Sequence, residues 1–317
     1  MGGRLAHYSP IVRIVSLVPH ATELLFALGA GDEVVGVTHE CDFPPQAAER
    51  EQVTRDMLPA GLSAAEIDAA VRERTQHGEA IYALDVQALG ALEPDLIVTQ
   101  ALCPVCAVCI DDVRAVSETL PSRPRVLALD PRTVEDTLAD VITVADATGR
   151  HDRGTALVAR SHARIDRVRR AVHAQPRRPV VALEWLDPVY LAGHWTPQMI
   201  ELAGGREATG RTRAGEPSQR STWETVALAR PEVVVVMPCG FDAPGALGEA
   251  EAHVRELSML GAQSTVAVDA SAYFSRPGPR LIDGLELLAH VLHPARVPKA
   301  PAEALILAAP SSAAALG

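Results

Sequence analysis

The chain has 317 residues, long enough for two compact units that each bury their own core. Its formal net charge is -11, from 29 Lys and Arg against 40 Asp and Glu, which argues against nonspecific nucleic-acid binding because phosphate neutralisation needs clustered cations. Hydrophobic residues at 48% and charged residues at 22% exclude a mainly disordered chain, and no apolar run approaches the ~20 residues of a membrane span, so no membrane insertion is expected.

The opening MGGRLAHYSP shows no basic segment followed by an apolar one, and Arg13 interrupts Ile11 to Leu17. A cytoplasmic, unanchored protein is therefore expected. Val12 to Leu17 reads as the first strand, His20 to Leu28 as a helix ended by Gly29, and Glu33 to Val37 as the second strand. The next segment, His39-Glu40-Cys41-Asp42-Phe43-Pro44-Pro45, is held out of helix by its prolines. Ser63 with Glu66 forms a capping box for Ala64 to His77, which Gly78 closes. Asp85 caps a short helix leading into Leu96-Ile97-Val98, whose unbroken apolar run behind Pro94-Asp95 predicts a strand buried on both faces. Arg125 to Leu129 is a further strand. Thr133 to Thr148 and His151 to His173 read as helices separated by Gly149, the second over twenty residues long. The basic run Arg164 to Arg178 is read as the solvated face of a helix.

Pro176 and Pro179 mark a boundary, after which Val180 to Leu183 begins a second set of strands. Glu184-Trp185-Leu186-Asp187-Pro188 lies at its mouth, followed by Ala192-Gly193-His194-Trp195 and a helix from Pro197 to Ala203. Thr222 caps the helix before Ala227 to Gly240, ALARPEVVVVMPCG, which repeats the earlier pattern LEPDLIVTQ of Leu92 to Gln100. Val266 to Asp269 is another strand, with Tyr273 and Phe274 in the loop beyond it, and Arg280 to Leu292 is the last helix. From Pro294 the tail is rich in Pro, Ala and Ser and is expected to fray.

Two constellations carry the chemistry. Cys103, Cys106 and Cys109 stand at three-residue spacing just past a strand's carboxyl end, where open α/β sheets place ligands. Thiolates so spaced can converge on one soft metal, and Cys41 or Cys239 could supply a fourth ligand. Zinc or an iron-sulfur cluster is the implied group, and His39, Cys109 and Glu184 are weaker members of the set. Five cysteines, an odd number without an export signal, favour reduced thiols or metal ligands over a disulfide framework. The competing explanation is that buried cysteines pack as small hydrophobes. Aromatics are only 3% of the chain, yet Phe43, Trp185, Tyr190, Trp195, Phe241, Tyr273 and Phe274 fall in strand-mouth loops, a pattern suited to gripping a large, flat, partly apolar ligand. Glu184, Asp187 and His194 could act as acid and base, but no standard catalytic motif is present, and a protein that does no chemistry itself is expected.

RIVSLVPHATELLFALG from Arg13, VVGVTHECDFPP from Val34, LEPDLIVTQ from Leu92, ELAGG from Glu201, ARPEVVVV from Ala229 and AYFSRPGPRLIDG from Ala272 together resemble one family in its own order. It is the cobalamin-binding type of the helix-linked (class III) substrate-binding proteins of ABC importers, related to siderophore and heme binders. The resemblance implies an α/β fold of two Rossmann-like lobes, each with a mainly parallel sheet, joined by one long helix and holding a metal chelate between them. The implied boundaries are 1–149 for the N-terminal lobe, 150–175 for the linking helix, 176–294 for the C-terminal lobe and 295–317 for the tail. It also implies ligand contacts at Phe43, the loop after Thr99, Pro188 to His194 (with Tyr190), Cys239 to Asp242 (with Phe241), and Tyr273 to Arg276. Importer members carry a docking acid on each lobe. Glu224 fits the second, whereas the first shows Gln87. The leading expectation is thus a cytoplasmic binding protein for cobalamin or a related corrinoid. A metal or iron-sulfur protein on the same scaffold, with an enzyme using the cleft cysteines among its forms, and an importer component are the alternatives.

Overall fold

A computed structural model describes residues 12–101, 108–299, 302 and 304–307. The chain divides into two compact units. The first comprises Met1–Pro59, Arg74–Asp130 and Val144–Arg150, and the second Ala60–Glu73, Pro131–Thr143 and His151–Gly317.

Chain order begins with β1 (Ile14–Ser16), α1 (Pro19–Ala27), β2 (Val34–Val37), β3 (Glu51–Gln52) and β4 (Thr54–Asp56). There follow α2 (Ala64–Gln76), β5 (Tyr82–Leu84), α3 (Val86–Ala91), β6 (Leu96–Gln100), α4 (Ile110–Thr119), β7 (Arg125–Leu129) and α5 (Val134–Ala147). In the first unit five strands form a parallel sheet in the order β3-β2-β1-β6-β7. Its two central strands, IVS and LIVTQ, are buried at every position, as strands covered on both faces must be. Val15, Leu17, Ile97, Leu89 and Val113 form one of its core clusters. The capping box predicted at Ser63 is present: the Ser63 amide and hydroxyl donate to Glu66 Oε2 at 2.8 and 2.7 Å. These bonds, the hydroxyl's first, hold the Glu66 carboxyl below its usual range.

The second unit continues with α6 (His151–Val172), β8 (Arg178–Leu186), β9 (Val189–Leu191), α7 (Thr196–Leu202), β10 (Gly205–Glu207), β11 (Gln219–Arg220) and α8 (Trp223–Leu228). It ends with β12 (Val233–Val236), α9 (Ala243–Ala252), α10 (Val254–Met259), β13 (Ser264–Val268), α11 (Ala270–Tyr273), α12 (Leu281–Leu292) and β14 (Ala304–Ile306). Gly149, at φ 66°, makes the turn between α5 and α6 that a residue with a Cβ adopts only under strain. The sheet runs β11-β9-β8-β12-β13-β14, with β10 also on β8. Its centre, β8-β12-β13, is parallel, and β9, β11 and β14 are antiparallel additions at the edges. The four valines of β12 are all buried. Part of the stretch expected to fray is therefore paired, since Ala304–Ile306 hydrogen-bonds along β13.

Helix α6 carries the basic run, and one of its arginines is not simply solvated. Arg164 Nη2 donates to Glu286 Oε2 at 2.7 Å and to Asp283 Oδ1 at 2.5 Å, and Nε donates to Glu286 Oε1 at 3.0 Å. Those bonds, led by Glu286, push the guanidinium pKa further up and pin α6 to α12. Among the described residues no helix is long and apolar enough to cross a membrane.

Candidate functional site

In the second unit the sheet reverses direction of growth at β8, with β10 and β9 along one edge and β12 along the other. At such a reversal the loops leaving adjacent carboxyl ends diverge and open a crevice, the usual place for ligands in this fold class. The residues there are Glu184 and Trp185 near the end of β8 and Cys239 to Phe241 just beyond β12. The Cys239 amide donates to the Glu184 carbonyl at 3.3 Å. The Trp185 and Phe241 rings meet edge to face, centroids 5.9 Å apart at 78°, a favoured geometry for aromatic pairs. Trp185 Nε1 donates to the Ala64 carbonyl at 3.2 Å, which fixes the indole.

Glu184 is held by a strap from the loop before β11. The Ser218 hydroxyl donates to Glu184 Oε2, and the Gly193 amide donates to Ser218 Oγ at 3.1 Å. Gly193 is needed at this crossing, since a Cβ there would lie 2.4 Å from backbone atoms of Pro217 and Ser218. Burial pushes the Glu184 carboxyl above its usual range, and the Ser218 bond opposes that only partly. On the neighbouring loop Asp269 caps α11 by accepting from the Ala272 amide at 2.7 Å. Burial raises its pKa as well, against the pull of that amide and of Arg280. The Arg280 guanidinium sits 5.7 Å from the Tyr273 ring centroid. The Ser271 amide donates to the Phe241 carbonyl at 3.1 Å and ties the β12 and β13 loops together.

The aromatics named from sequence separate into three groups. Trp195 and Phe274 are core residues, 5% and 3% exposed, and the Trp195 Nε1–H donates to the Phe274 carbonyl at 2.7 Å. Trp185, Tyr190, Phe241 and Tyr273 are half-buried, as are His194 and Arg276. Tyr190 stands on β9, opposite Trp185 in the antiparallel register. His194 takes a φ of 52°, fixed by exchange of backbone hydrogen bonds with Glu216 and Gly215. Phe43, in the first unit, is 41% exposed. Ser218 was missed by sequence reasoning, because nothing local to EPSQR marks it as the partner of a residue 34 positions earlier.

Cys103 and Cys106 lie outside the described residues. Cys109 precedes α4 and is exposed, and Cys239 is exposed at the β12 mouth. Cys41 belongs to the first unit and is 2% exposed, with Sγ 3.1 Å from Thr22 Oγ1 and 3.2 Å from Thr38 Oγ1. The Thr22 hydroxyl donates to Ser16 Oγ at 2.8 Å, so Thr22 can accept the thiol proton. The Cys41 sulfur is thereby tied into a buried hydroxyl network. His39 Nδ1 lies 2.8 Å from Thr54 Oγ1, and its ring is 5.5 Å from that of Tyr82. Among the described residues no group of three or more His, Cys, Asp or Glu is placed to hold a metal ion.

Two α/β units, with the ligand-type mouth of an open sheet, are the construction of a two-lobed binding protein. The Periplasmic binding protein family matches residues 14–256, and the chain belongs to that family. It is 23% identical over 287 residues to a vitamin B12-binding protein of Vibrio cholerae serotype O1, covering 89% of each chain. It is 22% identical over 294 residues to a vitamin B12-binding protein of Pectobacterium atrosepticum, covering 87% of each. Among solved structures, the periplasmic vitamin B12 binding protein of Vibrio cholerae superposes with a TM-score of 0.64 at 21% identity, covering 89% of this chain and 97% of that one. The periplasmic heme-binding protein of Roseiflexus sp. RS-1 gives 0.66 at 22%, covering 90% and 99%. The fold is thus the α/β two-lobed fold of periplasmic binding proteins.

Proposed function

We propose that the chain is the substrate-binding component of an ABC importer and that its ligand is cobalamin or a related corrinoid. The observation supporting this most directly is the full-length similarity to proteins described as vitamin B12-binding, 89% of both chains in the Vibrio cholerae pair. The half-buried Trp185, Phe241 and Tyr273 at the carboxyl edge of the second sheet suit a large flat ligand. The alternative of a cytoplasmic carrier differs only in location and recipient, and cell fractionation separates the two. Glu224, exposed in the first turn of α8, is the residue we assign to permease docking.

Heme is the second reading, favoured by solved heme-binding structures that superpose as well as the corrinoid binder, with TM-scores of 0.66 and 0.65 against 0.64. Zinc and an iron-sulfur cluster rest on a thiol set whose central pair, Cys103 and Cys106, is outside the described residues. The test is a thermal-shift panel with cyanocobalamin, heme, a ferric siderophore, zinc and ferrous iron. A ligand at 100 times its Kd stabilises by about 2.7 kcal/mol, a rise of about 5 °C or more for a chain of this size. The rise is expected with cyanocobalamin. Its absence with cyanocobalamin, heme and the ferric siderophore alike would reject chelate binding.

A further inference from the structure

We infer that Glu184, positioned by Ser218, is the residue that selects a carboxamide-edged chelate over a carboxylate-edged one. This rests on the chelate-binding reading above and adds to it the chemical class of the ligand's rim. Corrinoids carry neutral carboxamides around the macrocycle, whereas heme carries two ionised propionates.

Three observations support the assignment. First, Glu184 stands at the reversal point of the second sheet, next to the Trp185–Phe241 pair on which a flat ligand would stack. Secondly, its two oxygens differ: Oε2 accepts from the Ser218 hydroxyl, which is itself fixed by the Gly193 amide, while Oε1 has no hydrogen bond within the described residues. The strap thus orients the carboxyl group and leaves one acceptor for an incoming N–H donor. Thirdly, Glu184 near the end of β8 and Asp187, Asp242 and Asp269 in the loops following β8, β12 and β13 stand against Arg276 and Arg280 in those same loops. Asp242 and Asp269 serve as caps of α9 and α11, and Arg276 and Arg280 act on Asp269, so the arginine charge is offset locally. A propionate brought against this rim meets like charge in a half-dry setting, which is costly, whereas a carboxamide N–H meets an acceptor. Burial already disfavours the ionised Glu184, so a second carboxylate beside it would be harder still to accommodate.

The experiment compares cyanocobalamin, its b-, d- and e-monocarboxylic acids and heme as probes, by equilibrium titration at pH 8 with the native chain, Glu184→Gln and Ser218→Ala. The native chain should bind cyanocobalamin at least ~10-fold more tightly than heme and than one of the three monoacids, the discrimination expected from a charge-assisted hydrogen bond against a like-charge contact. Glu184→Gln should shrink that preference by ~5-fold or more, mainly by improving the acid probes. Ser218→Ala, which frees the carboxyl group but keeps its charge, should weaken cyanocobalamin while retaining exclusion of the acids. Equal preference in the native chain and Glu184→Gln would overturn the assignment. Tighter native binding of heme would overturn it too and leave chelate binding standing, whereas binding of no probe would overturn both.

Discussion

Glu184 shows at the scale of one residue how an energetic cost can mark function. The folded carboxyl group has a pKa above the ordinary 4.5, caused first by burial. The fold therefore disfavours its ionised form, and stability falls as pH rises above 4.5 through the folded value, with no penalty when the group is protonated in both states. Glu184→Gln, which keeps the acceptor for Ser218 and removes the charge, should raise the melting temperature at pH 8, and the gain should vanish as pH is lowered below 4.5. A constant gain across that range would show that the charge is not involved. Residue-level reading of the sequence found Glu184 and Trp185 because both follow a buried strand. It could not separate Trp185 from Trp195, since both stand a few residues before a proline in segments just beyond the Val180 to Leu183 run. Only the structure shows one indole bound to the Ala64 carbonyl near the surface and the other to Phe274 in the core.

Elements with strong local signals were legible. The strands β6 and β12 were read from unbroken apolar runs, and the helices before them from their caps, the Asp85 carboxylate accepting from the Ala88 amide and the Thr222 hydroxyl oxygen from that of Thr225. Asp85→Ala should cost about 1 kcal/mol of stability, measured as a shift in the urea midpoint, and an unchanged midpoint would contradict the capping role. Short edge strands such as β10, β11 and β14, with two or three residues each, were not legible, because their pairing is set by distant partners. Helix α9 also escaped, its Ala- and Gly-rich sequence offering no clear apolar face. Arg164 was read as part of a solvated basic face, yet α12 places two carboxylates on it. Arg164→Met should destabilise the second unit by about 1–2 kcal/mol, since it leaves Asp283 and Glu286 close together without their cation. A urea midpoint equal to that of the native chain would show the cluster to be incidental.

For the whole molecule, the order of six motifs along the chain anticipated the two-lobed α/β fold, whereas location and recipient were not written in any local pattern. The expectation of a cytoplasmic carrier came from the first residues, and the relatives now favour an importer component. Glu224→Arg should then abolish corrinoid uptake by cells that depend on this chain while leaving cyanocobalamin affinity unchanged; uptake at the native level would remove the docking assignment. The most direct measurement is a calorimetric titration of the purified chain with cyanocobalamin. One saturable site with a Kd in the micromolar range or tighter, at least about 8 kcal/mol of binding free energy, is predicted. No heat and no change in the visible spectrum with cyanocobalamin, repeated with heme, would contradict a chelate-binding role.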